Sequence, residues 1–105
     1  MEYPNLNYIN ELSGDDSSFK VAFIDILKRE FPDEISEYMN NIKNEHPREA
    51  SLNVHKLKHK FNILGLEQGY ELSVLYEEEL RSGDISLHEK FVAILNQIEL
   101  FLKTI

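Results

Sequence analysis

The hydrophobic residues of this chain recur every three or four positions over almost its whole length, which is the spacing of amphipathic α-helices. The clearest case is a stripe of five apolar residues in the middle of the chain: Ala50, Val54, Leu57, Phe61 and Leu64. Each helical residue turns by about 100°, so His55 points roughly away from that stripe. The pattern predicts a helix with one buried side and a histidine on its solvent side.

Breaks in the periodicity divide the chain into helices, and strand-like alternation is missing. The predicted helices include residues 7–12, 47–64, 67–81 and 86–103. Between the first two, residues 15–18 offer cap candidates for a longer helix, which Pro32 interrupts and which continues, after a bend, in a second segment that carries Ile35 to Ile42. Short connections between long amphipathic helices make neighbours antiparallel. We therefore expect one all-α domain over residues 1–105, an antiparallel up-down four-helix bundle with a short additional N-terminal helix.

Composition narrows the class of protein. The chain has 105 residues, of which 42% are hydrophobic and 29% are charged, as in a single globular domain. It has no cysteine, which excludes disulfides, thiolate metal sites and cysteine nucleophiles. No apolar run is long enough to cross a membrane, and the amino-terminal residues do not resemble a secretion signal. A cytoplasmic location without membrane attachment is expected.

The charge balance argues against a nucleic-acid partner. Nineteen acidic and eleven basic residues give a net charge of -8, whereas nucleic-acid binding normally needs a basic face. Lys56, Lys58 and Lys60 are gathered in one segment, which favours a small site for one anionic group. No glycine-rich phosphate loop is present, so an ATP-dependent kinase is not expected. An acidic surface on a closed bundle predicts a monomer.

The segment from His55 to Gly65 resembles the signature of histidine-containing phosphotransfer (HPt) domains, H-x-[LI]-K-G-x-x-x-x-[LI]-G. Five of its six defining positions match at the correct spacing: His55, Leu57, Lys58, Leu64 and Gly65. The sequence Phe31-Pro32 resembles the bend of the family's preceding helix, and Tyr76-Glu77 occupies its usual apolar-then-glutamate position. The resemblance spans nearly the whole chain.

The resemblance implies a phosphorelay intermediate, a carrier without kinase activity of its own. His55 would take a phosphoryl group from a receiver-domain aspartate and pass it to another receiver domain. The partners would be response regulators, a hybrid histidine kinase, or both. Lys58 would stabilise the phosphate, while Mg²⁺ would sit on the partner, leaving no cofactor on this chain. Imidazole suits this role because much of it is unprotonated near neutral pH.

One motif position differs, because His59 stands where most of the family has glycine. A histidine one turn after His55 is expected to alter the approach of a receiver domain, and it could hydrogen-bond the phosphate. The helical projection also places a candidate docking surface beside His55. Its residues are Leu52, Lys56, His59, Asn62 and Ile63.

Two other functions fit parts of the sequence. His55 and His59 at i,i+4 could face one metal ion, with His46 nearby, but the neighbouring lysines would repel a cation, so no metal site is expected. A helical adaptor that is never phosphorylated is the other alternative. The remaining polar and aromatic features fit a plain bundle. Glu77, Glu78 and Glu79 are interpreted as exposed, His88 as a surface residue, and Tyr38 and Tyr76 as packing residues.

Overall fold

The computed structural model describes residues 2–105, so Met1, the first residue of the predicted domain, lies outside the described residues. The helices are α1 (Asn7–Ser13), α2 (Ser17–Lys43), α3 (Pro47–Ile63), α4 (Glu67–Arg81) and α5 (His88–Leu102). No strand occurs among these described residues, which confirms the all-α class. None of the helices in this range has both the length and the apolar character needed to cross a bilayer.

The α2 helix runs through Pro32 without a break, so the predicted interruption at this residue is wrong. Proline has no N–H to donate, and it therefore leaves the carbonyl of Lys28 without its usual helical partner. Burial of Phe31 on one side of Pro32 and of Tyr38 on the other holds both parts of the helix in the same core. The helix begins at a predicted cap, where the Asp16 carboxylate accepts from the Phe19 N–H at 3.0 Å.

The α3 helix packs against both α2 and α4, while α4 also contacts α5 and α1 rests on α2. Its predicted stripe is confirmed, because each of the five side chains is at most 1% exposed: Ala50, Val54, Leu57, Phe61 and Leu64. They join a core that also contains Phe31, Tyr76 and Phe91. Burial of this stripe fixes the rotation of α3 and so holds His55 on the outside.

The first part of α2 is only partly covered, although Phe23 and Ile24 pack against the core. Lys60 near the end of α3 contacts Glu30, and the carbonyl of Ile105 accepts from Lys28. The turns of α2 before Lys28 therefore lie past the end of α3 and past Ile105. Phe19 and Ile26 in those turns are more than two-fifths exposed. The difference in length explains this, since 27 residues span about 40 Å and the 17 residues of α3 about 26 Å.

Gly65 ends α3 in a conformation that favours glycine, with a φ of 77°. A Cβ atom at this position would lie 2.5 Å from the side chain of Asn5. The N–H of Asn5 also donates to the Leu64 carbonyl at 2.8 Å, which ties the N-terminal segment to the end of α3. The motif glycine is therefore explained by backbone geometry and close approach.

A buried polar cluster links three helices. The hydroxyl of Tyr38 on α2 lies 2.6 Å from the Tyr76 hydroxyl on α4 and 2.7 Å from Nδ1 of His88 on α5. Both tyrosines are fully buried, as predicted for packing residues, and burial raises the pKa of each hydroxyl. His88 is only half-exposed and stacks on Tyr38, so its interpretation as a plain surface residue is wrong.

Candidate functional site

His55 lies in the middle of α3 with 52% of its side chain exposed. Its Nδ1 atom is 2.7 Å from Oε1 of Glu77 on α4. A carboxylate can only accept, so this hydrogen bond assigns the proton of a neutral His55 ring to Nδ1. The other nitrogen, Nε2, then carries a lone pair, which is the electronic state that a nucleophilic imidazole requires.

Glu77 is the centre of the site, although its side chain is only 5% exposed. Besides His55, its carboxylate accepts from Lys58 Nζ at 2.9 Å and from Arg81 Nη2 at 3.1 Å. The expectation that Glu77 belongs to an exposed acidic stretch is therefore wrong. It lies on the buried stripe of α4 with Tyr76 and Leu80, and three donors satisfy its charge there.

The electrostatic balance at Glu77 favours the ionised carboxylate. Burial raises the pKa of Glu77, but the hydrogen bonds and charges of Lys58 and His55 outweigh this effect and hold the pKa below its ordinary value. The permanent cations Lys58 and Arg81 face this single carboxylate. With His55 neutral, the cluster carries a net positive charge, which suits an anionic group.

Lys58 reaches Glu77 through a largely buried side chain that is 13% exposed. Its ammonium also lies 5.9 Å from the centroid of the Tyr70 ring, within cation–π range. Of the other two lysines, Lys56 is exposed beside His55, whereas Lys60 is buried and pairs with Glu30 and Glu34 on α2. The side chain of Lys60 points toward α2, so Lys60 does not belong to a lysine cluster around His55.

His59 lies one turn after His55 and is exposed. The two imidazole rings meet edge to face, with centroids 5.2 Å apart and planes at 90°. Within the described part of the chain, neither ring nitrogen of His59 has a hydrogen-bond partner. The side chain is thus next to His55 and retains its capacity to donate a hydrogen bond.

The remaining residues of the predicted docking surface are unequally exposed. Leu52 is 64% exposed, and Lys56 and Asn62 are also at the surface. Ile63 is half-buried and packs against the core, so it offers only part of its side chain. Beside Leu52, an open cavity of about 300 Å³ is lined by Arg48, Glu49, Ser51, Leu52 and Arg81. This surface surrounds His55 with apolar and basic groups.

Arg81 is the residue of the site that the sequence analysis did not identify. Its guanidinium contacts Glu77 four residues earlier on α4, and it also lines the cavity beside Leu52. The i,i+4 spacing of a glutamate and an arginine on one predicted helix was the available signal. Among residues 2–105, no three His, Asp or Glu side chains are grouped so that they could hold a metal ion.

Comparison with protein-family models, with curated proteins and with solved structures finds no significant match.

Proposed function

We propose that this chain is a phosphorelay intermediate that accepts a phosphoryl group on Nε2 of His55 from a receiver-domain aspartate and passes it to another receiver domain. The observation that carries the proposal is the hydrogen bond from His55 Nδ1 to the buried carboxylate of Glu77. It gives an exposed imidazole one fixed tautomer and an available nucleophilic nitrogen. The motif match from His55 to Gly65 supports the same function.

The bundle that would present His55 is an antiparallel four-helix bundle of α2 to α5, with α1 as a short addition. Consecutive packing of α2 with α3, α3 with α4, and α4 with α5 supports this arrangement. Two contacts support closure, one between α2 and α5 and one between α2 and the residue Ile105 beyond the end of α5. Tyr38 hydrogen-bonds His88, and Lys28 donates to the carbonyl of Ile105 at 2.7 Å.

In the proposed reaction, the lone pair of His55 Nε2 attacks the phosphorus of an aspartyl phosphate. The new N–P bond forms while the O–P bond breaks, and the aspartate leaves as a carboxylate with the bonding electron pair. The imidazole ring becomes positively charged and keeps its proton on Nδ1. Glu77 faces that proton and balances the new charge, so the buried carboxylate stabilises the phosphorylated ring.

Lys58 supplies positive charge next to the phosphorylated ring. Its ammonium is held on the same carboxylate as His55, and Arg81 adds a second cation from α4. Phosphoryl transfer has little covalent chemistry for the protein to perform, and in-line positioning and charge neutralisation dominate. We therefore assign phosphate stabilisation to Lys58, with Arg81 as an additional cation of the site.

Docking of a receiver domain would use Leu52, Lys56, His59, Asn62 and the exposed part of Ile63. An exposed leucine next to a reactive histidine favours protein contact over plain hydration. In this proposal the receiver supplies both the aspartate and Mg²⁺. The chain acts as a cytoplasmic, monomeric phosphocarrier without a cofactor or ATP-dependent kinase activity of its own.

Incubation with phosphorylated receiver domains tests the proposal. The wild type should acquire label that is labile in acid and stable in base, and His55→Gln should acquire none. His46→Gln is the matched control, because His46 is also an exposed histidine on the N-terminal side of α3. Label on His55→Gln at the wild-type level would contradict the proposal. A wild type that binds receivers without being labelled would favour the adaptor alternative.

A further inference from the structure

His59 lies next to the His55 ring, and the proposed transfer gives it no chemical role. It contacts the His55 ring directly, with the centroids 5.2 Å apart. The carboxylate of Glu77 accepts from Nδ1 of His55, from Lys58 and from Arg81. A phosphoryl group on Nε2 would present several acceptor oxygens, so it can take a further donor besides these two cations.

We propose that His59 binds the phosphoryl group on His55, donating a ring N–H to one of its non-bridging oxygens. The inference rests on the proposed function, since it requires phosphorylation of Nε2. A phosphoryl oxygen lies two bonds beyond Nε2, so it extends past the edge of the ring. The next side chain on that face of the helix is His59 at i+4.

The arrangement of the two rings suits such a bond. Because their planes are perpendicular, the two rings meet edge to face and do not stack flat on each other. A donor on a ring edge can approach an oxygen outside the neighbouring ring plane. The phosphoryl group carries up to two negative charges, so this hydrogen bond is charge-assisted and stronger than one between neutral groups.

Substitution of His59 should change phosphate binding without changing the fold. Its side chain is exposed and has no hydrogen bond to protein groups within residues 2–105 that a substitution would break. His59→Phe keeps an aromatic ring and removes the donor. His59→Gln keeps an N–H donor on a different side chain. Comparison of the two variants distinguishes donation from the shape of the side chain.

The experiment uses phosphoramidate as the donor, so that receiver docking plays no part. Attack by Nε2 breaks the P–N bond of zwitterionic phosphoramidate and releases ammonia with the bonding electron pair. At fixed phosphoramidate and ammonia concentrations, ³¹P NMR measures the equilibrium ratio of phosphorylated to free protein. We expect this ratio to be roughly three- to tenfold lower in His59→Phe than in the wild type. The effect is modest for a hydrogen bond to a charged group because solvent screens an exposed site. His59→Gln should recover most of the loss.

Each outcome has one meaning. A ratio in His59→Phe equal to or above that of the wild type overturns the inference but leaves the proposed function intact. An equally large loss in both variants also overturns the inference, because His59→Gln retains an N–H donor. Absence of any phosphohistidine signal in the wild type overturns the proposed function, and the inference falls with it. Unfolding of each variant in urea confirms that the fold is unchanged.

Discussion

Nδ1 of His55 and Oε1 of Glu77 lie 2.7 Å apart and join an exposed side chain of α3 to a buried carboxylate of α4. The bond spans the interface between two helices that pack closely along their lengths. Rigid packing on both sides fixes the orientation of the imidazole. The tautomer and orientation of His55 therefore depend on a buried residue of another helix.

Removal of the charge on Glu77 should slow phosphoryl transfer without removing the docking surface. In Glu77→Gln the ring loses the carboxylate that balances its charge in the phosphorylated state. We expect the transfer rate from a phosphorylated receiver at saturation to fall at least about tenfold, equivalent to roughly 1.4 kcal/mol in the barrier. Glu78→Gln is the control, since Glu78 is the exposed neighbour on α4. Equal rates in the two variants would refute the role of Glu77.

The same substitution should change how stability depends on pH. The folded-state pKa of Glu77 is depressed, so its ionised form stabilises the fold at pH values above the unfolded pKa of about 4.3. This contribution is lost as pH falls below that value and through the folded pKa. The free energy of unfolding in urea should differ by about 1–3 kcal/mol between wild type and Glu77→Gln near pH 7. The difference should shrink below pH 4, and a constant difference would contradict the assignment.

The two lysines beside His55 should have separable effects. Lys58→Met removes the ammonium held on Glu77 and should lower the transfer rate at saturating receiver roughly tenfold or more, because the transition state loses a nearby cation. Lys56→Met removes an exposed charge at the docking surface and should mainly raise the KM for the receiver. Stopped-flow transfer measured over a range of receiver concentrations separates the two parameters. The opposite pattern would reverse the two assignments.

Leu52 should contribute to receiver binding and hardly at all to stability. Leu52→Ala removes a side chain that is 64% exposed, so the free energy of unfolding should change by less than about 0.5 kcal/mol. Receiver affinity should fall roughly fivefold, equivalent to about 1 kcal/mol at an interface. Leu100→Ala is a matched control, because Leu100 is 65% exposed but lies on α5. Titration calorimetry that finds equal losses for the two variants would exclude Leu52 from the interface.

Local sequence pattern predicted the helices and the orientation of α3 well. The stripe from Ala50 to Leu64 has an unambiguous helical period, and the outward position of His55 follows from it. Pro32 was misread because its local preference against a helix interior was outweighed by burial of Phe31 and Tyr38 on either side. Propensity acts over one turn, whereas packing acts over the whole helix.

The sequence predicts only some of the residues that form the site. His55 and Lys58 follow from the motif, but periodicity could not show that Glu77 turns inward while Glu78 stays exposed. That difference depends on how α3 approaches α4 and on the cations that face Glu77 across the interface. Lys60 was misplaced for the same reason, because its partners Glu30 and Glu34 lie on α2.

The most direct test of the central claim is to locate the phosphoryl group by ³¹P and ¹⁵N NMR after transfer from a phosphorylated receiver. We predict a single N–P bond at Nε2 of His55, with Nδ1 still protonated and bonded to Glu77. Phosphorylation at Nδ1 of His55, or on any of His46, His59 and His88, would contradict it.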